Sequence, residues 1–550
     1  MPRRAFAPLL AVLVLPGCSA TESVRQGRAD LAPIFDAVVY QLPQDITMDD
    51  LALEVEDRAV VKSASGESLL RIRFSFISFR GYPQFDDIHR SSGVVFLPVA
   101  GDGRANPANA SQILVTEYPP ASSASGFPLY EAYGEGPAIQ LGIPSAIVDL
   151  RGPILSTLRL IRNPSDPADG VFQSEEQFAL TKLSDFARTG AFNQLYEQRL
   201  GQAWLRALKT MNRLLAQEIG EGPRNYMLAG EGYGALGALQ AAAAYSPVQG
   251  VVLCGWPLDW LDEQFVRWRR WEREARYYPL EQVQPCPYPD AESLISFLSS
   301  SFHNPDPGCP TCTAGGNLWM AQFNYLNLRA AGALGDLETF FVFGDSDPKL
   351  PIDLELRASV PPQALHSFPA PIGVNPDRGP FSRELHMPFT DLAYLRGSSS
   401  TLAHADAAAA VLAWMQHLAG YRDIPVVSID ESEQEGEIVL DISVLEGNAA
   451  VTGIEVDLVD IEDGDDSDFR HALHRKQPEP MPWRRIDAIY SGHTREFRQE
   501  WRAKFQITHS YNRAYLVIVH DRVGNLEAPH SLPIRTLWYL GDPAVGKMRL

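Results

Sequence analysis

The run Asn225-Tyr-Met-Leu-Ala-Gly230-Glu231-Gly232-Tyr233-Gly234-Ala-Leu-Gly237 constrains this chain more than any other segment. Its first five residues suit a strand buried on both faces, and an alanine-rich stretch through Ala244 follows with helical character. Between them, glycines at 230, 232 and 234 leave no length for a loop. The chain must turn from strand to helix at once, through angles or close approaches that side chains resist. Such a turn belongs to layered α/β architecture, where helices cover a mostly parallel sheet.

The flanking sequence keeps that alternation. Leu69–Phe79 and Gly93–Val99 read as paired strands, and Gln112–Thr116, Ala146–Val148, Val251–Cys254 and Thr339–Phe343 as short buried ones. Helical spacing of Leu195, Leu200, Trp204, Leu208, Met211 and Leu215 predicts a helix over Phe192–Glu218, and Ala405–Leu418 reads as an amphipathic closing helix. Stretches near 153–190 and 257–330 exceed what sheet connections need, so cap insertions are expected there. From Ile424 the pattern becomes short strands at Gly436–Val444, Gly453–Val459, Ala503–Thr508 and Tyr515–His520, with the turn Asp521-Arg-Val-Gly-Asn525 and a final strand near Pro533–Tyr539. A chain of 550 residues exceeds one core, and the expected units are 33–420, α/β with cap insertions, and 421–550, an immunoglobulin-like β-sandwich.

The formal net charge of −21 excludes sequence-independent nucleic-acid binding, which depends on Lys and Arg displacing counterions. At the N-terminus, Arg3 and Arg4 precede the apolar run Leu9–Leu15, too short for a membrane span and suited to a signal peptide over 1–17. Leu15-Pro-Gly-Cys18 resembles the lipobox of bacterial lipoproteins, which implies lipidation at Cys18, a polar tether over 18–32 and a lipid anchor in the membrane. Ser19 resembles the outer-membrane sorting pattern, so the expected place is the periplasmic face of that membrane. Export makes Cys254, Cys286, Cys309 and Cys312 candidates for two disulfides of open connectivity, with zinc held by His303, Cys309 and Cys312 as the alternative. The preferred reading calls for no metal.

Gly230-Glu-Gly232-Tyr-Gly234 resembles the nucleophile elbow G-x-S-x-G of the α/β-hydrolase superfamily, with Gly232 in the slot of the serine. A glycine has no side chain with which to attack a carbonyl. Gly142-Ile-Pro-Ser-Ala-Ile-Val-Asp149-Leu-Arg151-Gly152 resembles the strand and turn ahead of that elbow, and Gly344-Asp-Ser-Asp347-Pro-Lys-Leu-Pro351 its acid loop, which implies Asp347 as the triad acid. Leu365–Pro369 reads as the last sheet strand, but Ala370–Gly373 lacks the histidine that the superfamily carries there. Of the later histidines, His386 in a loop is the better relic and His404 opens the last helix; the plain reading of both is a surface or helix-capping residue. Glu117-Tyr118-Pro119-Pro120 stands where an oxyanion donor is expected, and proline has no N–H; Tyr233 is the other donor position.

Within the superfamily the chain resembles the PhoPQ-activated pathogenicity-related proteins, through Phe323-Asn-Tyr-Leu-Asn-Leu-Arg329 and Asp468-Phe-Arg470. The resemblance implies a hydrolase fold with a serine in its elbow; this chain departs from it at Gly232, with Asp347 and His386 as the other degenerate triad positions, and the departures lead to the preferred reading, a non-catalytic binding protein for a small ligand or an envelope protein. Two alternatives stand. One is an active hydrolase with another nucleophile, Glu231 or Asp347, or a metal. The other is dinucleotide binding through Gly232-x-Gly234-x-x-Gly237, with Asp259 about twenty residues on; the preferred reading needs no cofactor.

Overall fold

The computed structural model describes residues 48–80, 88–100, 104–118, 126–152, 195–256, 336–344, 390–395, 400–434, 436–445, 447–461, 484–494, 498–506, 512–531 and 535–536, with single positions at 175, 179, 182 and 334. The signal segment, Cys18 and the tether lie outside these residues, as do most of both expected caps.

Among the described residues nine strands form the first sheet: β1 (Glu54–Lys62), β2 (Ser68–Arg80), β3 (Ile88–Pro98), β4 (Gln112–Glu117), β5 (Ser145–Asp149), β6 (Asn225–Glu231), β7 (Val248–Cys254), β8 (Glu338–Gly344) and β9 (Thr390–Leu395). Their order is β1-β2-β3-β5-β4-β6-β7-β8-β9. The first three strands and the β3–β5 pair are antiparallel, and every pair from β5 through β4 to β9 is parallel. The swap of β4 and β5 inside a parallel run that opens on an antiparallel hairpin is the topology of the α/β-hydrolase fold.

Helices follow from the same alternation. Helix α1 (Tyr196–Ile219) ends at Gly220 in the left-handed region, where glycine stops a helix at no steric cost. Helix α2 (Tyr233–Ala244) is the one that leaves the glycine elbow, and α3 (Ala405–Leu418) closes the domain as expected. One face of the sheet packs with α1 and α2 in a core that includes Ile72, Phe74, Val95, Trp204, Leu228 and Leu253. Met227, Val252 and Val342 of the other face pack with Trp414 of α3.

The expectations at β2 through β8 are met within a few residues. Strand β1 was not anticipated, because its charged, mostly exposed sequence EVEDRAVVK carries no strong apolar alternation. The expected strand at Leu365–Pro369 lies outside the described residues; among those described, Thr390–Leu395 pairs in parallel with β8 at the edge of the sheet.

The C-terminal residues form two antiparallel sheets. One has β10 (Val426–Gln434), β11 (Glu437–Leu445), β14 (Ile489–His493) and β15 (Arg498–Gln506), and the other β12 (Ala450–Ile461), β13 (Arg484–Asp487), β16 (Asn512–Val523), β17 (Leu526–Ser531) and β18 (Arg535–Thr536). Leu440, Ile442 and Phe505 of the first meet Val456, Leu458 and Val517 of the second in a single apolar core, as stacked sheets require. The expected β-sandwich is present, and the turn read at 521–525 is the β16–β17 hairpin, with Gly524 at φ 60°.

Candidate active site

The turn from β6 into α2 has the shape of an elbow and carries glycine at its apex. Gly232 lies between β6 and α2 at φ 58°, ψ −125°, in the left-handed half of backbone space that glycine enters freely. Its N–H donates to the Cys254 carbonyl at 2.8 Å, and its carbonyl accepts the first bonds of α2 from Ala235 and Leu236. A Cβ built on Gly232 would have the Arg151 guanidinium at 3.8 Å as its neighbour, so space alone does not demand glycine there.

The flanking glycines are held by contacts. A Cβ on Gly230 would stand 2.5 Å from the Gly234 carbonyl oxygen, the close passage that a strand folding back onto a helix creates. At Gly234 the Cβ position is already taken by the carboxyl of Glu117.

Glu117 ends β4 fully buried, and its Oε1 accepts from Arg151 Nε at 2.7 Å. Arg151 is delivered by the turn Asp149-Leu-Arg-Gly152, which Asp149 closes by accepting the Gly152 N–H at 2.8 Å. Arg151 Nη1 lies 3.4 Å from Glu175 Oε2, and the Tyr196 hydroxyl donates to Glu175 Oε1 at 2.6 Å. Around them Tyr233 packs between Tyr196 and Trp256, with centroids 5.4 and 5.6 Å away.

Two carboxylates thus share one guanidinium out of water. Burial pushes the Glu117 carboxyl up to about 7 against the pull of Arg151, with Glu175 and Glu231 adding to the rise. Burial also works against the Arg151 charge, but Glu117 and Glu175 outweigh it and hold the guanidinium protonated. Glu117 Oε2 and Arg151 Nη2 are buried without hydrogen-bond partners among the described residues. The pair thus sets one acid and one cation beside the N-terminus of α2, and the Arg151 guanidinium is the described group nearest the apex at Gly232.

The other expected residues divide into three groups. Asp347, His386, Pro119, Pro120, Asp259, His303, Cys286, Cys309 and Cys312 lie outside the described residues, and Cys254 is buried in β7. Glu231 is committed elsewhere: its Oε2 accepts from Thr401 Oγ1 and Leu402 N, both at 2.9 Å. His404 caps α3 with Nδ1 accepting the Asp406 N–H at 3.2 Å, the plain reading of that residue.

His386 precedes β9 in the chain, and His404 follows it at the start of α3. The Tyr118 N–H, on the other side of the elbow, is spent on the Val148 carbonyl at 2.7 Å.

The dinucleotide reading loses its distinguishing glycines to packing. Gly234 faces Glu117, an anion where a pyrophosphate would need donors, and a Cβ on Gly237 would meet Trp204 and Leu200 of α1 at 2.8 and 2.9 Å. Among the described residues no group of three His, Cys, Asp or Glu could hold a metal ion, and no helix is long and apolar enough to cross a membrane.

Strand order, elbow geometry and Gly232 together define the class: an α/β-hydrolase fold whose nucleophile elbow carries glycine. No protein-family model and no curated protein matches the chain. Among solved structures, the chain is similar to the acetyl xylan esterase from Paenibacillus sp. R4, at 11% identity over 70% of this chain and 94% of that one, with a TM-score of 0.31. It is also similar to the glucuronoyl esterase from Solibacter usitatus, at 11% identity over 73% of this chain and 91% of that one, with a TM-score of 0.32. The fold assignment rests on the strand order and elbow of this chain.

Proposed function

We propose that this chain is an extracytoplasmic lipoprotein that uses a degenerate α/β-hydrolase domain to hold a ligand or partner without turning it over. The observation that carries this reading is Gly232 at the apex of an intact elbow, with the Glu117–Arg151 pair buried beside it. Nucleophile and oxyanion stabilisation supply separate large contributions to acyl transfer, so their joint loss leaves little rate to select. Glu231 is a poor substitute nucleophile because two donors hold its carboxylate. The kinship to PhoPQ-activated pathogenicity-related proteins is part of this reading and rests on the sequence motifs alone.

Lipidation at Cys18 and a place in the cell envelope belong to the same proposal, from the lipobox-like Leu15-Pro-Gly-Cys18. The β-sandwich offers a partner surface: Ile489 is 74% exposed and Tyr490 45% on β14, an outer strand of its sheet.

Purified protein assayed on a panel of acyl esters should give no turnover above buffer, and ester hydrolysis recovered in Gly232→Ser would show that the nucleophile alone had been lost. Ester hydrolysis by the unaltered chain would overturn the reading. Labelled palmitate should enter the protein and be lost in Cys18→Ala; equal membrane association of both forms would sink the anchor.

A further inference from the structure

The face of β2, β3 and β5 turned away from α1 holds a groove of about 590 Å³, within the usual range of small-ligand sites. Register fixes what lines it. Arg71 stands opposite Phe96, Arg73 opposite Val94 and thence Ile147, and Ser92 opposite Asp149. Alternate residues of a strand share a face, so an apolar floor separates two arginines on one side from Asp149 on the other.

Aromatic rings wall the floor. Tyr130, 44% exposed, lies 6.5 Å from Phe96 and 6.1 Å from Tyr118 between ring centroids. Glu135 and Glu56 are the other acids of the groove, and Lys62 a third cation, its ammonium held by the Gly66 carbonyl and Ser68 hydroxyl.

The polar groups are incompletely used. Arg71 holds Asp57 through Nη2 at 3.0 Å, while its Nε is buried without a hydrogen-bond partner among the described residues. Arg73 is exposed and makes no hydrogen bond or ion pair among the described residues. Asp149 gives one oxygen to the Gly152 amide. The matching ligand has a carboxylate for guanidinium donors, hydroxyls to donate to Asp149 and Glu135, and a flat C–H face for the rings. An aromatic acid meets the first and last demands but has no donors for the acids, and a neutral sugar leaves the arginines unanswered.

From Arg71 and Arg73 beside the Tyr118–Tyr130 wall, facing Asp149 and Glu135 across an apolar floor, we infer that this groove binds a saccharide bearing a carboxylate, a uronic acid or a short oligomer of one. The inference goes beyond the silent elbow and is independent of it, since the groove shares no lining residue with Gly232, Glu117 or Arg151.

Calorimetric titration of the full chain in detergent would use trigalacturonate, its neutral galactose counterpart and benzoate. Trigalacturonate should bind, with the other two weaker by at least about tenfold. Arg73→Met and Tyr130→Ala should each weaken trigalacturonate by about tenfold or more. Because Arg73 is exposed, its loss leaves the thermal melt in place, which separates a lost contact from a lost fold. No heat with trigalacturonate, equal binding of the neutral sugar or of benzoate, or an unchanged affinity in either variant overturns the proposal.

Discussion

Backbone shape and side-chain identity come apart at Gly232. The φ of 58° costs a non-glycine residue about 1 to 2 kcal/mol, while the Arg151 neighbour at 3.8 Å leaves room for a small side chain. Urea denaturation should therefore find Gly232→Ser folded and only that much less stable. Gly234→Ala must instead push the buried Glu117 carboxyl off Arg151, at a cost of about 3 kcal/mol or more for an unpaired buried charge; equal stability of the two variants would contradict this placement of Glu117. Protonation gives a second residue-level test. Burial raises Glu117 and Glu197 to about 7, above an unfolded value near 4.3. The native state then holds protons that the unfolded chain has released, so the stability these two groups contribute is fully present below about pH 4 and is lost as pH rises to about 7. Urea midpoints measured across that window should decline in the unaltered protein, and Glu117→Gln should flatten part of the decline. The glycine at the apex was legible in the sequence through the resemblance of Gly230-Glu-Gly232-Tyr-Gly234 to G-x-S-x-G. The burial of Glu117 was not, since a glutamate ending an apolar strand reads as solvated until Arg151, 34 positions on, is brought to it.

Helices α1 and α2 approach closely because each offers a glycine to the other. Gly237 lies against Leu200 and Trp204, and Gly201 against Gln240, while Trp204 Nε1 donates to the Gly234 carbonyl at 2.9 Å. The pattern that resembles a dinucleotide fingerprint is thus largely a helix contact. Gly237→Val would overfill that contact and should cost about 1 to 3 kcal/mol, read as a lower midpoint in thermal unfolding; a neutral result would mean the helices have slack. Buried strands were legible as short apolar runs, because a parallel strand covered on both faces has little choice of residue. Thr390–Leu395 was not anticipated, since the run is short and only partly apolar and its pairing with β8 is what marks it as a strand.

Strand β16 ties the α/β domain to the sandwich. Its Tyr515, Val517 and Val519 enter the sandwich core, and the alternate Leu516 and Ile518 join the core beneath α1 and α2. Period-two alternation with both faces apolar explains why the run Tyr515–His520 was conspicuous in sequence without revealing what its second face covers. Beside it, Arg422 is fully buried just after α3, with Nη1 on Asp521 Oδ1 at 2.5 Å, Nη2 on the Leu526 carbonyl at 2.9 Å and Nε on Gln416 Oε1 at 3.0 Å. His530 Nε2 meets the same Asp521 oxygen at 2.8 Å. Removing one member of such a pair strands the other charge out of water, so Arg422→Met should cost about 3 to 5 kcal/mol. Replacing Asp521 with Leu in the same chain removes the stranded charge and should return much of that loss. Because the pair lies between the two domains, the single variant should also split one thermal transition into two in calorimetry, with the double variant restoring a single one. One unchanged transition in Arg422→Met would place the coupling in the apolar faces of β16 and leave the ion pair as a local feature of the junction.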